Sequence, residues 1–270
     1  MTAVWVTGVA VCGPGLDGWA ASRPVLAGQA PYIAAPPTLP PPAMLAPNER
    51  RRAGPVTRLA LLLAGEAAAM HAAQHGTDCG ALRSIFASAN GDGATIAAIM
   101  EALSDPAGDV SPTQFHNSVH NAAAGYWSIG AGSAQAASCI GGHDCTAGAG
   151  LMQAAAEAAV LARPVLLCLY DCPLPEPLHA RRPVHAIFGA ALVLAPAPDA
   201  HALARLDIAY ADAPATACKM QPRQAALAEL SLANPVARIL RLLESLALGA
   251  PDRLALALAD GRIEVVVTPC

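Results

Sequence analysis

The 270-residue chain is long enough to bury a substantial core, and it is unusually poor in charge. Hydrophobic residues make up 54% and charged residues 13%, where about a quarter is usual. The net charge of −4 argues against a general affinity for nucleic acid or an anionic membrane. Pro, Gly, Arg or Asp interrupts every long apolar run, and the N-terminus lacks the basic start of a signal peptide. We therefore predict a cytoplasmic protein without a membrane span.

Strands and helices are predicted to alternate along the first part of the chain. An apolar stretch over 4–11 predicts a strand that ends at Gly13-Pro14-Gly15, and a short helix follows over 17–26. The proline cluster of 34–47 predicts an extended surface loop, which precedes a long apolar helix over 56–73. A strand over 82–89 then leads through a glycine-rich turn into a helix over 94–103.

The alternation continues in the second part of the chain. Strands are predicted over 133–140, 164–169, 186–194 and 204–211, and helices over 146–161 and 235–248. Two short strands, 254–259 and 262–268, form a predicted hairpin that turns at Asp260-Gly261. This pattern indicates an α/β layered fold.

Residues 111–155 carry the strongest functional signal. They are predicted to contain a polar loop, a short helix that starts near Asn121, a strand, and a tight turn over 141–145 that enters the helix 146–161. In enzymes of several folds such a junction carries the nucleophile, because free backbone N–H groups and the helix dipole stabilise negative charge there. Whether the chain is a catalyst depends on the residue at this junction.

Neither a metal nor a cofactor is predicted. Cys168 and Cys172 have a CxxxC spacing without a second pair, which is not a reliable zinc pattern. His116 and His120 lack an accompanying carboxylate, so hydrogen bonds within the loop are favoured over metal binding. The glycines at 91–93 and 141–142 follow no phosphate-loop or dinucleotide pattern.

Several motifs resemble β-ketoacyl synthases in the order that the family has them. The strand Val4-Trp5-Val6-Thr7-Gly8-Val9 with its Gly13-Pro14-Gly15 turn resembles the family's opening, and Asn121-Ala122-Ala123-Ala124-Gly125 resembles its Asn-x-x-Ala-Gly helix start. The strand near 164–171 resembles the one after the nucleophile helix. The resemblance implies one thiolase-like domain over 1–270, with helix, sheet, helix, sheet and helix layers and a dimer interface beside the active site. Residues 1–195 would be the N-terminal half and 196–270 a shortened C-terminal part.

Two departures from the family concern catalysis. Counting without gaps from Asn121 places the family's nucleophilic cysteine at Asp144, which cannot form the thioester that condensation requires. Cys145 lies one residue later, which is a rotation of about 100° on a helix. The resemblance also implies two further histidines, in an HGTGT-like loop and a Gly-His turn. After Leu194 the sequence has only His201, with neither motif around it.

The sequence most resembles the chain-length-factor-like subunits of aryl polyene clusters, partly through the segment Asn234-Pro235-Val236-Ala237-Arg238-Ile239-Leu240. This resemblance implies a silent subunit that pairs with an active β-ketoacyl synthase, meets acyl carrier protein through that partner, and walls the far end of an acyl tunnel. The alternatives are a divergent acyltransferase that uses Cys145, with His143 or a histidine of a partner as base, and a free-standing small-molecule binder.

Each candidate residue also has a structural interpretation. Asp144 is a favoured N-cap type, and Cys145 is typical of a buried thiol at a helix start. The resemblance places six residues at the acyl tunnel or the interface, although ordinary packing would also explain those on the helix after Gly93. The six are Thr95, Ile99, Met100, Gln114, Phe115 and His116.

Overall fold

The computed structural model describes residues 1–106, 108–213 and 221–270. Its strands are β1 Thr2–Gly13, β2 Leu16–Asp17, β3 Arg83–Ala87, β4 Ala137–Ile140, β5 Val165–Asp171, β6 Phe188–Ala195, β7 Ala204–Ala211, β8 Asp252–Leu258 and β9 Gly261–Pro269. Its helices are α1 Trp19–Leu26, α2 Pro47–Arg52, α3 Pro55–His75, α4 Gly93–Ser104, α5 Pro112–Ser118, α6 Ala122–Gly130, α7 Thr146–Leu161, α8 Leu178–Arg181, α9 Ala225–Ala233 and α10 Leu240–Leu248. Within the described residues, 3₁₀ turns span Cys79–Ala81, His143–Cys145 and Pro235–Ile239.

All nine strands belong to one mixed sheet in the order β4-β3-β5-β6-β1-β7-β9-β8, with β2 paired to β1. Strands β4, β3 and β5 are parallel, and the remaining pairings are antiparallel. The 12-residue β1 pairs with β7 near its start and with β6 along most of its length. It therefore joins the first-half strands to the C-terminal strands.

Helix α7 lies in the centre of the molecule because its small residues permit close contact on two sides. A side chain at Gly148 would meet the Ala257 carbonyl of β8 at 2.4 Å. One at Gly150 would meet Leu167 and Leu169 of β5 at 3.1 Å. Helices α3 and α6 pack on the opposite face of β3 and β5. Helix α7 thus lies between β5 and β8 of the same sheet, while α3 and α6 cover the other face of β3 and β5.

Most predicted elements are confirmed, and the differences have local causes. The predicted strand 133–140 is shorter, and the predicted helix 235–248 begins with a 3₁₀ turn before α10. Helix α5 forms where a polar loop was predicted, because Ser111 and Gln114 make a capping box around Pro112. Helices α2, α8 and α9 were not predicted either. The closing hairpin is present, with Leu258 opposite Gly261.

Helix α3 is long and apolar enough to cross a membrane by length and composition alone. It packs against β1, β5 and β6, and its buried residues include Leu59, Leu63 and Ala67. Burial in the protein core accounts for this apolar composition, as it does for many core helices.

Candidate functional site

The candidate site is the elbow between β4 and α7. After Ile140 the chain passes through two glycines into the 3₁₀ turn His143–Cys145, where His143 has a left-handed φ of 51°. The buried Thr146 hydroxyl donates to the His143 carbonyl at 2.7 Å and accepts the Gly142 N–H at 3.0 Å. One threonine thus holds both ends of the turn and fixes the direction of Asp144.

Two arginines from distant segments hold the Asp144 carboxylate. Arg182, just after α8, places Nη1 2.6 Å from Oδ1, and Arg238 of the turn Pro235–Ile239 places Nη2 3.3 Å from Oδ2. Arg238 also donates to the Asp144 carbonyl, and His143 Nδ1 lies 3.6 Å from Oδ1. Partial burial acts to raise the pKa of Asp144, but the Arg182 hydrogen bond and the charges of Arg182 and Arg238 outweigh it. The pKa is therefore below its ordinary value, and the group is a carboxylate near neutral pH.

The prediction that Asp144 caps α7 is wrong. The N-cap residue is Cys145, and no side chain accepts a hydrogen bond from the first turn of the helix. The carboxylate instead pairs with two guanidinium groups, which carry full positive charges and present forked donors that match a carboxylate.

The Cys145 thiol is not activated, although it lies at the start of α7 and near Arg238. Burial and the Asp144 charge raise its pKa, and Arg238 only partly offsets them. In the described part of the chain, no hydrogen bond or ring contact joins the sulfur to a histidine. His143 is mostly exposed and faces the Asp144 carboxylate instead. The thiol is thus in the protonated form, which is a poor nucleophile.

Asp171 organises the support behind Arg182. Its buried carboxylate accepts from the Ser88 hydroxyl at 2.8 Å and from the backbone N–H groups of Ala89 and Asn90 at about 3.1 Å. Burial raises the pKa of Asp171 to about 6 despite these bonds. The Asn90 side chain then accepts from Arg182 Nε at 3.4 Å. The loop after β3 therefore positions one of the two arginines.

The structure places the predicted tunnel residues on two neighbouring helices. Thr95, Ile99 and Met100 lie on α4, and Gln114, Phe115 and His116 lie on α5, which packs against α4. Phe115 is 69% exposed and Met100 54%, so neither is a core residue of this chain. Gln114 forms the capping box, and the His116 ring meets Tyr126 edge-on.

Beside these residues lies an apolar surface that we call the open face. It consists of the free edge of β4 and the exposed side chains of α4, α5 and α6, which contact one another in series. The large apolar side chains on it are Met100, Leu103, Phe115, Val119 and Ile129. Exposed apolar patches and unpaired strand edges are typical of protein interfaces.

No metal site is found in the residues that the structure describes. His120 Nε2 lies 3.0 Å from the Ser88 carbonyl, consistent with the loop hydrogen bonding predicted for it. The sequence did not single out Arg182, Arg238 or Asp171 as site residues. The signal available for Arg182 was only its place in a basic run, Arg181-Arg182, just after a buried strand.

The fold and the elbow define a class of protein. It is a layered α/β protein whose central helix follows a strand–turn junction, the type of junction that carries the nucleophile in enzymes of several folds. Residues 25–247 match a family model described as beta-ketoacyl synthase, N-terminal domain. The match spans most of the chain, and the chain belongs to the β-ketoacyl synthase family. A comparison with curated proteins finds no match.

Solved structures share the fold over the whole chain. A chain of the ketosynthase ApeO in complex with its chain length factor ApeC from Xenorhabdus doucetiae superposes with a TM-score of 0.69 at 17% identity, over 98% of this chain and 99% of that one. A chain of AntDE:AntF, a type II PKS acyl-carrier protein in complex with its ketosynthase, gives 0.72 at 12%, over 100% and 99%. The ishigamide ketosynthase/chain length factor gives 0.66 at 15%, over 99% of each chain. The predicted thiolase-like α/β fold is thereby confirmed.

Proposed function

We propose that the chain is a catalytically silent, chain-length-factor-like subunit that pairs with an active β-ketoacyl-acyl carrier protein synthase. The observation that carries the proposal is the Asp144 carboxylate, which occupies the elbow and is held by Arg182 and Arg238. A carboxylate fixed between two guanidinium groups cannot provide the thiolate on which the acyl chain is carried. The partner would supply the condensation chemistry.

The open face is the proposed contact with that partner. It would bury Phe115 and Val119 and cover the unpaired edge of β4, which otherwise exposes backbone donors and acceptors. Two of the similar solved structures are complexes of a ketosynthase with a chain length factor, which supports pairing of this kind. Thr95, Ile99 and Met100 would then border the far end of the acyl tunnel and limit the chain length.

For the biosynthetic setting, we propose a class of product and not a particular compound. The product class is a polyene or polyketide made by fatty-acid-type condensation in the cytoplasm, with acyl carrier protein bound through the ketosynthase. The aryl polyene subgroup is proposed from the sequence segment 234–240, the helix after it and the closing hairpin.

Co-expression with candidate ketosynthases tests the proposal. We expect a stable heterodimer on size exclusion and condensing activity that requires both chains. In that complex, Cys145→Ser should leave activity unchanged, because the thiol takes no part in catalysis. A chain that stays monomeric with every ketosynthase encoded beside it would contradict the proposal.

The second candidate is an acyltransferase that uses Cys145. Two observations argue against this role. The pKa of the Cys145 thiol is raised, and no described histidine forms a hydrogen bond with the sulfur. Loss of activity in the Cys145→Ser complex, with Cys79→Ser as the matched control, would favour it. Asp144→Cys should not create a working enzyme, because Arg182 and Arg238 remain at the elbow and no base joins it.

A further inference from the structure

A cavity of about 440 Å³ lies at the end of the sheet opposite the elbow, where β3 and β5 begin. Its polar lining includes Thr77, Arg83, Gln135 and Arg163. The C-terminal end of α7 and the turn before β3 complete the wall. The volume is within the range of about 300–1,000 Å³ that small-molecule sites occupy.

The cavity carries one uncompensated positive charge. The Arg83 guanidinium donates to Glu157, which offsets its charge. Among the described residues, the Arg163 side chain has no carboxylate or carbonyl partner, so its donors are available to a ligand. His71 also lines the cavity, and burial lowers its pKa to about 4, which leaves the ring neutral. This balance fits a ligand with a single negative charge.

The lining also has an apolar part. Leu82, Leu161 and Pro164 supply a surface against which an alkyl or aryl body can pack. A carboxylate matches the fork of donors on arginine, and the apolar wall would take the remainder of the molecule.

The walls are fixed before any ligand binds. The Thr7 hydroxyl holds His71 Nδ1 at 2.9 Å, and the Asp78 side chain accepts the Gly80 N–H at 2.9 Å. Gly80 lies so close to the next segment that a side chain there would meet the Ala131 carbonyl at 2.3 Å. A preformed site loses little conformational entropy on binding.

We infer that this cavity binds a small amphipathic carboxylate through Arg163, with its apolar body against Leu161 and Pro164. The inference does not depend on the proposed pairing, since residues of this chain alone line the cavity and no second subunit is needed.

Isothermal titration of the full chain at pH 7 tests it, with benzoate and hexanoate as probes. Benzamide serves as the uncharged analogue, and inorganic phosphate as an anion without an apolar body. We expect saturable binding of a carboxylate and binding of benzamide that is at least tenfold weaker. Arg163→Gln should weaken carboxylate binding about tenfold, whereas Arg253→Gln, at another exposed arginine, should not. Leu161→Asn should weaken it through the apolar wall.

Thermal melting of each variant checks that the fold is retained, which is expected because Arg163 and Leu161 are exposed. Equal binding of benzoate and benzamide would overturn the inference, as would unchanged binding in Arg163→Gln. Phosphate binding tighter than benzoate binding would overturn the assignment of an amphipathic carboxylate. The absence of saturation by either carboxylate up to about 10 mM would also overturn it.

Discussion

At the scale of single residues, Asp144 places a fixed negative charge at the elbow. Its carboxylate is 43% exposed, so the two ion pairs are partly screened by solvent. Their main effect is positional, because they tie the elbow to the segment after α8 and to the turn before α10. Arg238 also acts on the neighbouring thiol, because its positive charge partly offsets the effects that raise the pKa of Cys145.

Asp144→Asn should lower the free energy of unfolding by about 0.5–1.5 kcal/mol at pH 7, since two guanidinium groups lose their anionic partner. Urea denaturation measures the change. Asp109→Asn, at an exposed aspartate, is the matched control and should leave stability unaltered.

The difference between wild type and Asp144→Asn should depend on pH in one direction. The pKa of Asp144 is lowered in the folded state, so its stabilisation is present above the ordinary carboxyl pKa and is lost as pH falls through the lowered value. Denaturation at pH 7 and pH 3 should therefore show a larger difference at pH 7. A difference that grows on acidification would contradict the assignment of the ion pairs.

At the scale of elements, two polar joints connect the helices to the C-terminal strands. At the end of α3, His75 Nδ1 donates to the His71 carbonyl at 2.7 Å and Nε2 lies 2.5 Å from Asp199 of the β6–β7 connection. At the start of β8, Asp252 accepts from Arg241 Nε at 2.7 Å and Ser245 at 2.8 Å, and pairs with Arg223 at 3.0 Å. Each joint holds a connecting segment in place through side chains, where the backbone hydrogen bonds of a helix or sheet do not hold it.

The His75–Asp199 joint should weaken at alkaline pH. The bond to the His71 carbonyl and then the bond to Asp199 raise the pKa of His75 above its ordinary value. The stabilisation is thus complete below the ordinary pKa of about 6.5 and is lost as pH rises through the raised value. Asp199→Asn should cost about 1 kcal/mol at pH 6 and much less at pH 9, by thermal melting at each pH. A cost that is equal at both pH values would exclude this ion pair as its source.

The Asp252 joint should matter more because it is buried. Burial acts to raise the pKa of Asp252, but hydrogen bonds from Arg241, Ser245 and Arg223 lower it well below its ordinary range. Asp252→Asn should cost about 3 kcal/mol in urea denaturation, since it leaves buried cations unpaired. Asp207→Asn removes a more exposed pair with Arg205 and should cost less than about 1 kcal/mol.

The sequence predicts elements well where one pattern dominates. Helix α7 and strand β7 have the predicted bounds, because an alanine-rich run and a bounded apolar run are unambiguous. Helix α5 shows the opposite case, since its capping box was present in the sequence but its polar composition indicated a loop. The partners of Asp144 could not be predicted, because Arg182 and Arg238 reach it only after the chain folds and no local pattern relates the three residues.

At the scale of the whole molecule, the open face is a feature that the fold of this chain alone does not explain. Its apolar side chains add nothing to the core of this chain, whereas they would be buried in a complex. The low share of charged residues in the sequence, 13%, agrees with a surface part of which is covered by a partner.

Phe115→Glu should abolish the heterodimer, because it places a charge in the centre of the proposed interface, and should leave the isolated chain folded since Phe115 is exposed. Ile33→Glu is the matched control at an apolar residue of similar exposure, 71%, on the proline-rich segment. Size exclusion of co-expressed chains distinguishes the two. Equal loss of pairing in both variants would argue against the open face as the specific contact.

Intact-protein mass spectrometry tests the central claim most directly. The purified pair is incubated with acyl-loaded carrier protein, and the mass of each chain is measured. We predict that the acyl mass appears on the ketosynthase alone and that this chain stays at its unmodified mass, because Asp144 offers no sulfur and Cys145 remains a thiol. An acyl mass on this chain that disappears in the Cys145→Ser variant would contradict the account.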